Sequence, residues 1–118
     1  MPIHNALASV AVRELQTTGP WYERLIGRPA DSTTLPAGAE WSFEGGGRLQ
    51  VHENPDRAGL GAVTLSVSDL DEQIIRLKQG GIEPDPGSDG PTARVVTIKD
   101  PDGNSISFTQ AHGVAPAS

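Results

Sequence analysis

The chain repeats itself, and the repeat limits what it can fold into. Val12-Arg13-Glu14-Leu15 returns as Val67-Ser68-Asp69-Leu70, 55 positions later. Gly27 and Gly81 stop the helical patterns that follow, at nearly the same shift. Gly47-Arg48-Leu49-Gln50-Val51 resembles Asn104-Ser105-Ile106-Ser107-Phe108 at a shift of 57. Each half reads as strand, helix, then about three strands. A half of this size cannot bury a sheet face alone, so the two are expected to pack about a pseudo-twofold axis.

Local patterns place the elements. Ala6–Val12 is rich in small and β-branched residues and reads as a largely buried strand. Gln16–Ile26 carries Trp21, Tyr22, Leu25 and Ile26 at helical spacing. Thr17 or Thr18 is the expected cap, because Pro20 belongs in the first turn, where its missing N–H is not needed. Pro29–Leu35 reads as a weak strand. Glu40–Glu44 and Arg48–Glu53 read as a hairpin around Gly45-Gly46-Gly47. The loop Asn54–Gly59 divides the halves. Gly61–Val67 is the next strand, and Asp69–Gln79 a helix stopped at Gly80-Gly81. Glu83–Pro91 is turn-rich, with room for one short strand at its start. Arg94–Lys99 and Asn104–Gln110 are strands joined by Asp100-Pro101-Asp102-Gly103, a type I turn by composition. One domain is expected over residues 1–118, with module one about 5–54, module two about 60–110, and a frayed tail at 111–118.

Composition then excludes partners. The 14 Gly and 10 Pro of 118 residues disfavour a helical bundle, since an interior Gly costs about 1 kcal/mol and a Pro about 3. Nine Lys/Arg against 15 Asp/Glu give a net charge of −6 with no basic cluster, which argues against nucleic acid and against an anionic membrane surface. The acidic balance favours a neutral or cationic ligand over an anionic one. There is no cysteine, hence no thiolate metal site and no Cys nucleophile. That composition fits a reducing cytoplasm. The start lacks the pattern of a signal peptide, and no apolar run approaches the ~20 residues of a membrane span.

Three stretches together resemble the glyoxalase/bleomycin-resistance/dioxygenase superfamily, the vicinal oxygen chelate proteins. Val12–Leu15 followed by Trp21-Tyr22-Glu23-Arg24-Leu25-Ile26-Gly27 is similar to the family's opening. Val67–Leu70 is similar to the repeat of that opening. Asp100-Pro101-Asp102-Gly103-Asn104, with Ile106 and Phe108, is similar to its close. The resemblance covers about residues 5–110. It implies an α+β fold of two βαβββ modules forming a curled mixed-sheet cup that holds a ligand, and homodimers in many members.

The family's metal does not carry over. Metal-using members place four ligands on the first and fourth strands of the modules. The matching positions here are Leu7, Gln50, Ala62 and Ser107. Two have no donor atom, and a neutral amide and a hydroxyl are poor ligands for a divalent ion. No metal or other cofactor is expected; a divalent metal bound by other residues is the alternative.

Strand alternation assigns the faces. Ala8, Val10, Val12, Val63, Leu65, Val67, Ile106 and Phe108 should lie under the helices. Leu7, Ser9, Ala11, Gln50, His52, Ala62, Thr64, Ser66, Ser105, Ser107 and Thr109 should face the cup. That face is expected to be small, hydroxyl-rich and uncharged, which suits a small-molecule pocket, with a solvated sheet face or dimer contact as the alternative. His52 shares the face with Gln50 and is the candidate acid–base, since imidazole suits proton transfer near neutral pH; an exposed strand-end histidine is the plainer reading. His4 and His112 lie near the ends. Trp41 and Phe43 are either core residues or an aromatic clamp on a flat ligand. The ligand-binding set is thus Leu7, Ser9, Trp41, Phe43, Gln50, His52, Ala62, Thr64 and Ser107.

The expected function is a metal-free binding protein for a small organic molecule, of the resistance type. A lyase, isomerase or dioxygenase of the same superfamily is the second expectation, and an interaction module closed by a partner chain the third.

Overall fold

A computed structural model of the chain describes residues 2, 3, 5–35 and 38–112. His4 and most of the expected tail lie outside the described residues. The elements run β1 (Leu7–Val12), α1 (Leu15–Ile26), β2 (Ser32–Leu35), β3 (Gly38–Ser42), β4 (Arg48–Glu53), β5 (Ala62–Ser66), α2 (Leu70–Gln79), β6 (Ser88–Asp89), β7 (Ala93–Lys99) and β8 (Ser105–Ala111). They make two four-stranded sheets, ordered β1-β4-β3-β2 and β5-β8-β7-β6. In each, the first strand pairs parallel with the fourth and the other pairs are antiparallel. The fold is α+β, two βαβββ modules, with the sheets uncurled in the single chain.

The expected helix-side residues do face inward. Val10, Val12, Leu49, Val51, Val63, Val96, Ile98, Ile106 and Phe108 are buried in one cluster with Tyr22, Leu25, Leu70 and Leu77. Burying a side chain of this kind stabilises by about 1.5–3 kcal/mol, so neither module has a separate core to fold around. Alternation in β8 is plain: Ile106 and Phe108 are buried while Ser105, Ser107 and Thr109 are not.

The helices begin in matching ways. The Leu15 N–H donates to Glu53 Oε1 at 2.9 Å, and the Leu70 N–H to Gln110 Oε1 at 2.8 Å. In each case the end of a module's fourth strand satisfies an orphan donor of its own helix. For α1 this corrects the expected cap. Glu14 holds the N-cap position without a side-chain cap bond, and Thr18 is buried inside the helix. Pro20 accordingly falls in the second turn, not the first. The packing of Tyr22 and Leu25 on the shared core holds that helix across the proline. Helix α2 runs as expected but for one residue at its start: Asp69 is its cap, accepting the Glu72 N–H at 3.1 Å.

The modules are tied at the Asp100–Asn104 turn. Buried Asp100 accepts from the Tyr22 hydroxyl (2.6 Å), the Asn104 side-chain amide (2.7 Å), and the Asn104 and Asp102 backbone N–H groups (2.8 and 2.9 Å). Buried Asn104 donates to the Ala11 carbonyl and accepts the Gly61 N–H, both at 2.8 Å. Asp102 accepts the Arg13 N–H at 2.9 Å. Module two thereby grips both β1 and α1. Burial first, and the Asp100 bond second, push the Tyr22 hydroxyl well above the ordinary phenol range.

Two predictions follow from this junction. Tyr22→Phe leaves a buried carboxylate short of a donor and should cost about 1–3 kcal/mol by urea denaturation; an unchanged midpoint would show that the bond is replaced. Because the folded state holds the Tyr22 proton more tightly, stability falls as pH rises above about 10. Tyr22 is the only tyrosine, so its ultraviolet titration should coincide with unfolding and not precede it. Separately, Gly59 sits at φ +86°, and a Cβ there would lie 2.4 Å from the Asp102 carbonyl oxygen. Gly59→Ala should therefore destabilise by at least about 1–3 kcal/mol in the same assay.

Candidate functional site

The faces turned away from the core carry the polar residues. On the first sheet, register sets Ser9 beside Gln50 and Gln50 beside Glu40, while Ala11 lies beside His52. The Ser9 hydroxyl lies 3.3 Å from Gln50 Oε1 and 3.1 Å from His52 Nδ1. One hydroxyl thus joins the two side chains that β4 presents at alternate positions. On the second sheet, Thr64 lies beside Ser107, and Ser107 beside Thr97, with the two hydroxyls 2.9 Å apart. Lys99 donates to the Ser105 hydroxyl at 2.7 Å.

The hydroxyl-rich character matches expectation; the absence of charge does not. Arg48 lies beside Leu7, Glu40 beside Gln50 and Lys99 beside Ser105. Arg48 and Glu40 form an ion pair at 3.1 Å. Alternation within β4 was enough to place Arg48 on the same face as Gln50 and His52. Glu40 and Lys99 required the pairing partners of β3 and β7.

The expected ligand-binding residues divide. Leu7 (47% exposed), Ser9, Ala62 and Thr64 are exposed, and Gln50, His52 and Ser107 half-buried. Trp41 does not join them. It is fully buried opposite Leu49, with its indole N–H donating to the Arg28 carbonyl at 3.0 Å. Phe43 packs half-buried at the core's edge. His112 pairs with Asp89, away from this face.

A pocket of about 490 Å³ lies elsewhere, at the seam between the modules. Phe43 and Thr64 line it, whereas Leu7, Ser9, Trp41, Gln50, His52, Ala62 and Ser107 do not. Its other walls include Gly45, Gly47 and Gln73, which sequence reasoning did not select. The signal was present in the repeat, where Gly47 aligns with Asn104.

The residues at the family's metal positions do not fit a divalent ion. Leu7 and Ala62 offer no donor, and the Gln50 amide and Ser107 hydroxyl are neutral and held by Ser9 and Thr97. Among the described residues no three His, Cys, Asp or Glu side chains cluster as an ion would require. Among the described residues no helix is long and apolar enough to cross a membrane.

Comparison with known proteins places this arrangement. The Glyoxalase/Bleomycin resistance protein/Dioxygenase superfamily matches residues 4–108, and the chain belongs to that family. No curated protein matches. Among solved structures, a glyoxalase/bleomycin resistance protein from Catenulispora acidiphila is 32% identical, with a TM-score of 0.83 over 92% of this chain and 98% of that one. An antibiotic-binding protein from a Streptomyces species is similar at 23% identity and TM-score 0.76, over 93% and 97% of the two chains. The bleomycin-binding protein of bleomycin-producing Streptomyces verticillus, solved with copper(II)-bleomycin, is 16% identical at TM-score 0.76, over 93% and 98%. At these last two identities the likeness is one of fold.

The Ser9–Gln50–His52 cluster lies on an open face, so its bonds compete with water. Ser9→Ala should shift the His52 imidazole nitrogen resonances while lowering stability by less than about 1 kcal/mol. A loss of several kcal/mol would make the cluster a structural element and not a surface site.

Proposed function

We propose that the chain is a binding protein that captures a small organic molecule on its open sheet face, in the manner of a resistance protein, without a resident metal and within the cytoplasm. The observation that carries this reading is the set of polar side chains turned away from the core, Ser9 and Gln50 on the first sheet and Thr64 and Ser107 on the second, all exposed or half-buried and three of them carrying only a hydroxyl. Short side chains leave volume for a ligand, and hydroxyls and an amide give it a few directed hydrogen bonds. The donor chemistry at the family's metal positions supports the metal-free part. The antibiotic-binding and bleomycin-binding names of proteins with this fold support the ligand class.

A single uncurled face encloses little. We infer that a second copy of the chain closes over it, so that the working unit is a homodimer. Sedimentation at micromolar concentration should give twice the chain mass; a monomer that still binds ligand would overturn this part.

Native mass spectrometry of freshly purified protein should reveal a co-purified organic molecule or an empty chain, with metal well below one per chain by elemental analysis. Calorimetric titration with metal-free and copper(II)-loaded bleomycin tests the first candidate ligands. His52→Ala should leave affinity within about three-fold, a change of less than ~0.7 kcal/mol. Near-stoichiometric zinc, nickel, manganese or iron would sink the metal-free reading.

A second reading rests on the Ser9–His52 contact at 3.1 Å. It holds one imidazole nitrogen and leaves the other for proton transfer, as a metal-independent lyase or isomerase requires. Turnover abolished by His52→Ala would favour it over the binding role.

A further inference from the structure

The two modules use one backbone turn twice. Phe43 N–H donates to the Gly47 carbonyl (2.8 Å) and Gly46 N–H to the Phe43 carbonyl (2.9 Å). Asp100 N–H donates to the Asn104 carbonyl (2.9 Å) and Gly103 N–H to the Asp100 carbonyl (3.0 Å). Gly46 and Gly103 have φ of 101° and 99°. The turns therefore superpose residue by residue: Phe43 stands for Asp100, Gly45 for Asp102 and Gly47 for Asn104. The helices correspond too, since each opens on a leucine whose N–H is taken by the end of its fourth strand. Gln73 and Leu77 of α2 then stand where α1 has Thr18 and Tyr22.

The second turn fills its end of the seam with its own side chains; the first relies on Asn5, bonded to Gly46 and Ala6, and leaves the rest open. Asp100, Asp102 and Asn104 fill their end of the seam with side chains bonded to Tyr22, Arg13, Ala11 and Gly61. Gly45 and Gly47 bring no side chain, and Leu77 no hydroxyl, to the other end. The pocket of about 490 Å³ lies there, bounded by Gly45, Gly47 and Gln73 and walled by Leu25, Ile26, Phe43, Leu65, Val67 and Phe108. Neither Gly45 nor Gly47 has positive φ, and a Cβ at either would meet no atom within 4 Å. Nothing in the backbone or its surroundings demands glycine at these two positions. What glycine supplies there is room.

We infer that this seam pocket is a second binding site, bordering the open sheet face at Arg48, Thr64 and Ser66, for a neutral one- or two-ring aromatic compound bearing a carboxamide. The apolar walls take the rings. The half-buried Gln73 amide on the pocket wall offers that carboxamide a partner, while the place held by Asn104 in the sister turn is taken here by Asn5, which accepts the Ala6 N–H at 2.8 Å and donates to the Gly46 carbonyl. The ligand is neutral because Arg48, the one cation at the pocket among the described residues, is already paired with Glu40 at 3.1 Å, and apolar walls penalise an unpaired ion.

The test is an NMR titration of the full chain with 1-naphthamide, and with 1-naphthoate as its charged counterpart. The amide should give saturable shifts at Gly45, Gly47, Val67 and Gln73, and should bind more tightly than the carboxylate. Gly47→Asn, which rebuilds the side chain of the sister turn, should weaken binding about ten-fold or more. Gly47→Ala, a smaller change at an unobstructed position, should weaken it less and keep the folded spectrum. Gln73→Leu should lose the preference for the amide. No saturable shift, shifts confined to Ser9, Gln50 and His52, tighter binding of the carboxylate, or full affinity in Gly47→Asn would each overturn the assignment. Thr64 borders both sites, but Gly45, Gly47 and Gln73 report the pocket alone and Ser9, Gln50 and His52 the open face alone, so failure here is distinguishable from failure of the binding role proposed above.

Discussion

The buried carboxylate of Asp100 is the fastening on which the rest of the molecule depends. A carboxylate removed from water is costly unless its lone pairs are met by donors. Here the Tyr22 hydroxyl, the Asn104 amide and two backbone N–H groups meet them. One donor comes from module one and three from the turn itself, so the group is satisfied only when the modules are together. Charge-assisted bonds of this kind are about twice as strong as neutral ones, and directional. The apolar core supplies most of the attraction between the modules, and this network fixes how they meet.

That fixed meeting decides where chemistry is available. The core consumes the inward faces of both sheets, including Trp41, and leaves the outward faces to hydroxyls, an amide, an imidazole and a few charges. Ser9 links Gln50 and His52 on one sheet, and Thr97 and Ser107 pair on the other. Arg48 and Glu40 neutralise each other, so the first sheet's face presents little net field despite the charge of −6 on the chain as a whole. A surface of that kind selects by shape and hydrogen bonding more than by charge.

Most of the fold was legible in the sequence because it is written in periodicity. The alternation of Ser105-Ile106-Ser107-Phe108 and the paired openings Val12–Leu15 and Val67–Leu70 require no knowledge of the partner strands. The start of α1 was not legible, because its first N–H is met by Glu53, 38 positions away. A local rule therefore looked for a threonine cap and placed Pro20 one turn too early. The inward position of Trp41 likewise follows from its pairing with Leu49, and the charges at Glu40 and Lys99 from strands whose partners alternation alone does not name. The open face was half legible: Ser9, Gln50 and His52 follow from spacing, but the hydroxyl that joins them follows from the β1–β4 register.

The paired turns have a consequence for how the chain tolerates change. At 100–104 Asp100 and Asn104 each hold several partners and Asp102 holds the Arg13 N–H, so a substitution at any of the three is felt in both modules at once. At 43–47 the same backbone path leaves Gly45 and Gly47 surrounded by open space. Two stretches that share one turn geometry therefore stand under opposite constraints: one is a lock whose parts must change together, and the other is a position where new side chains can be tried one at a time without disturbing the fold.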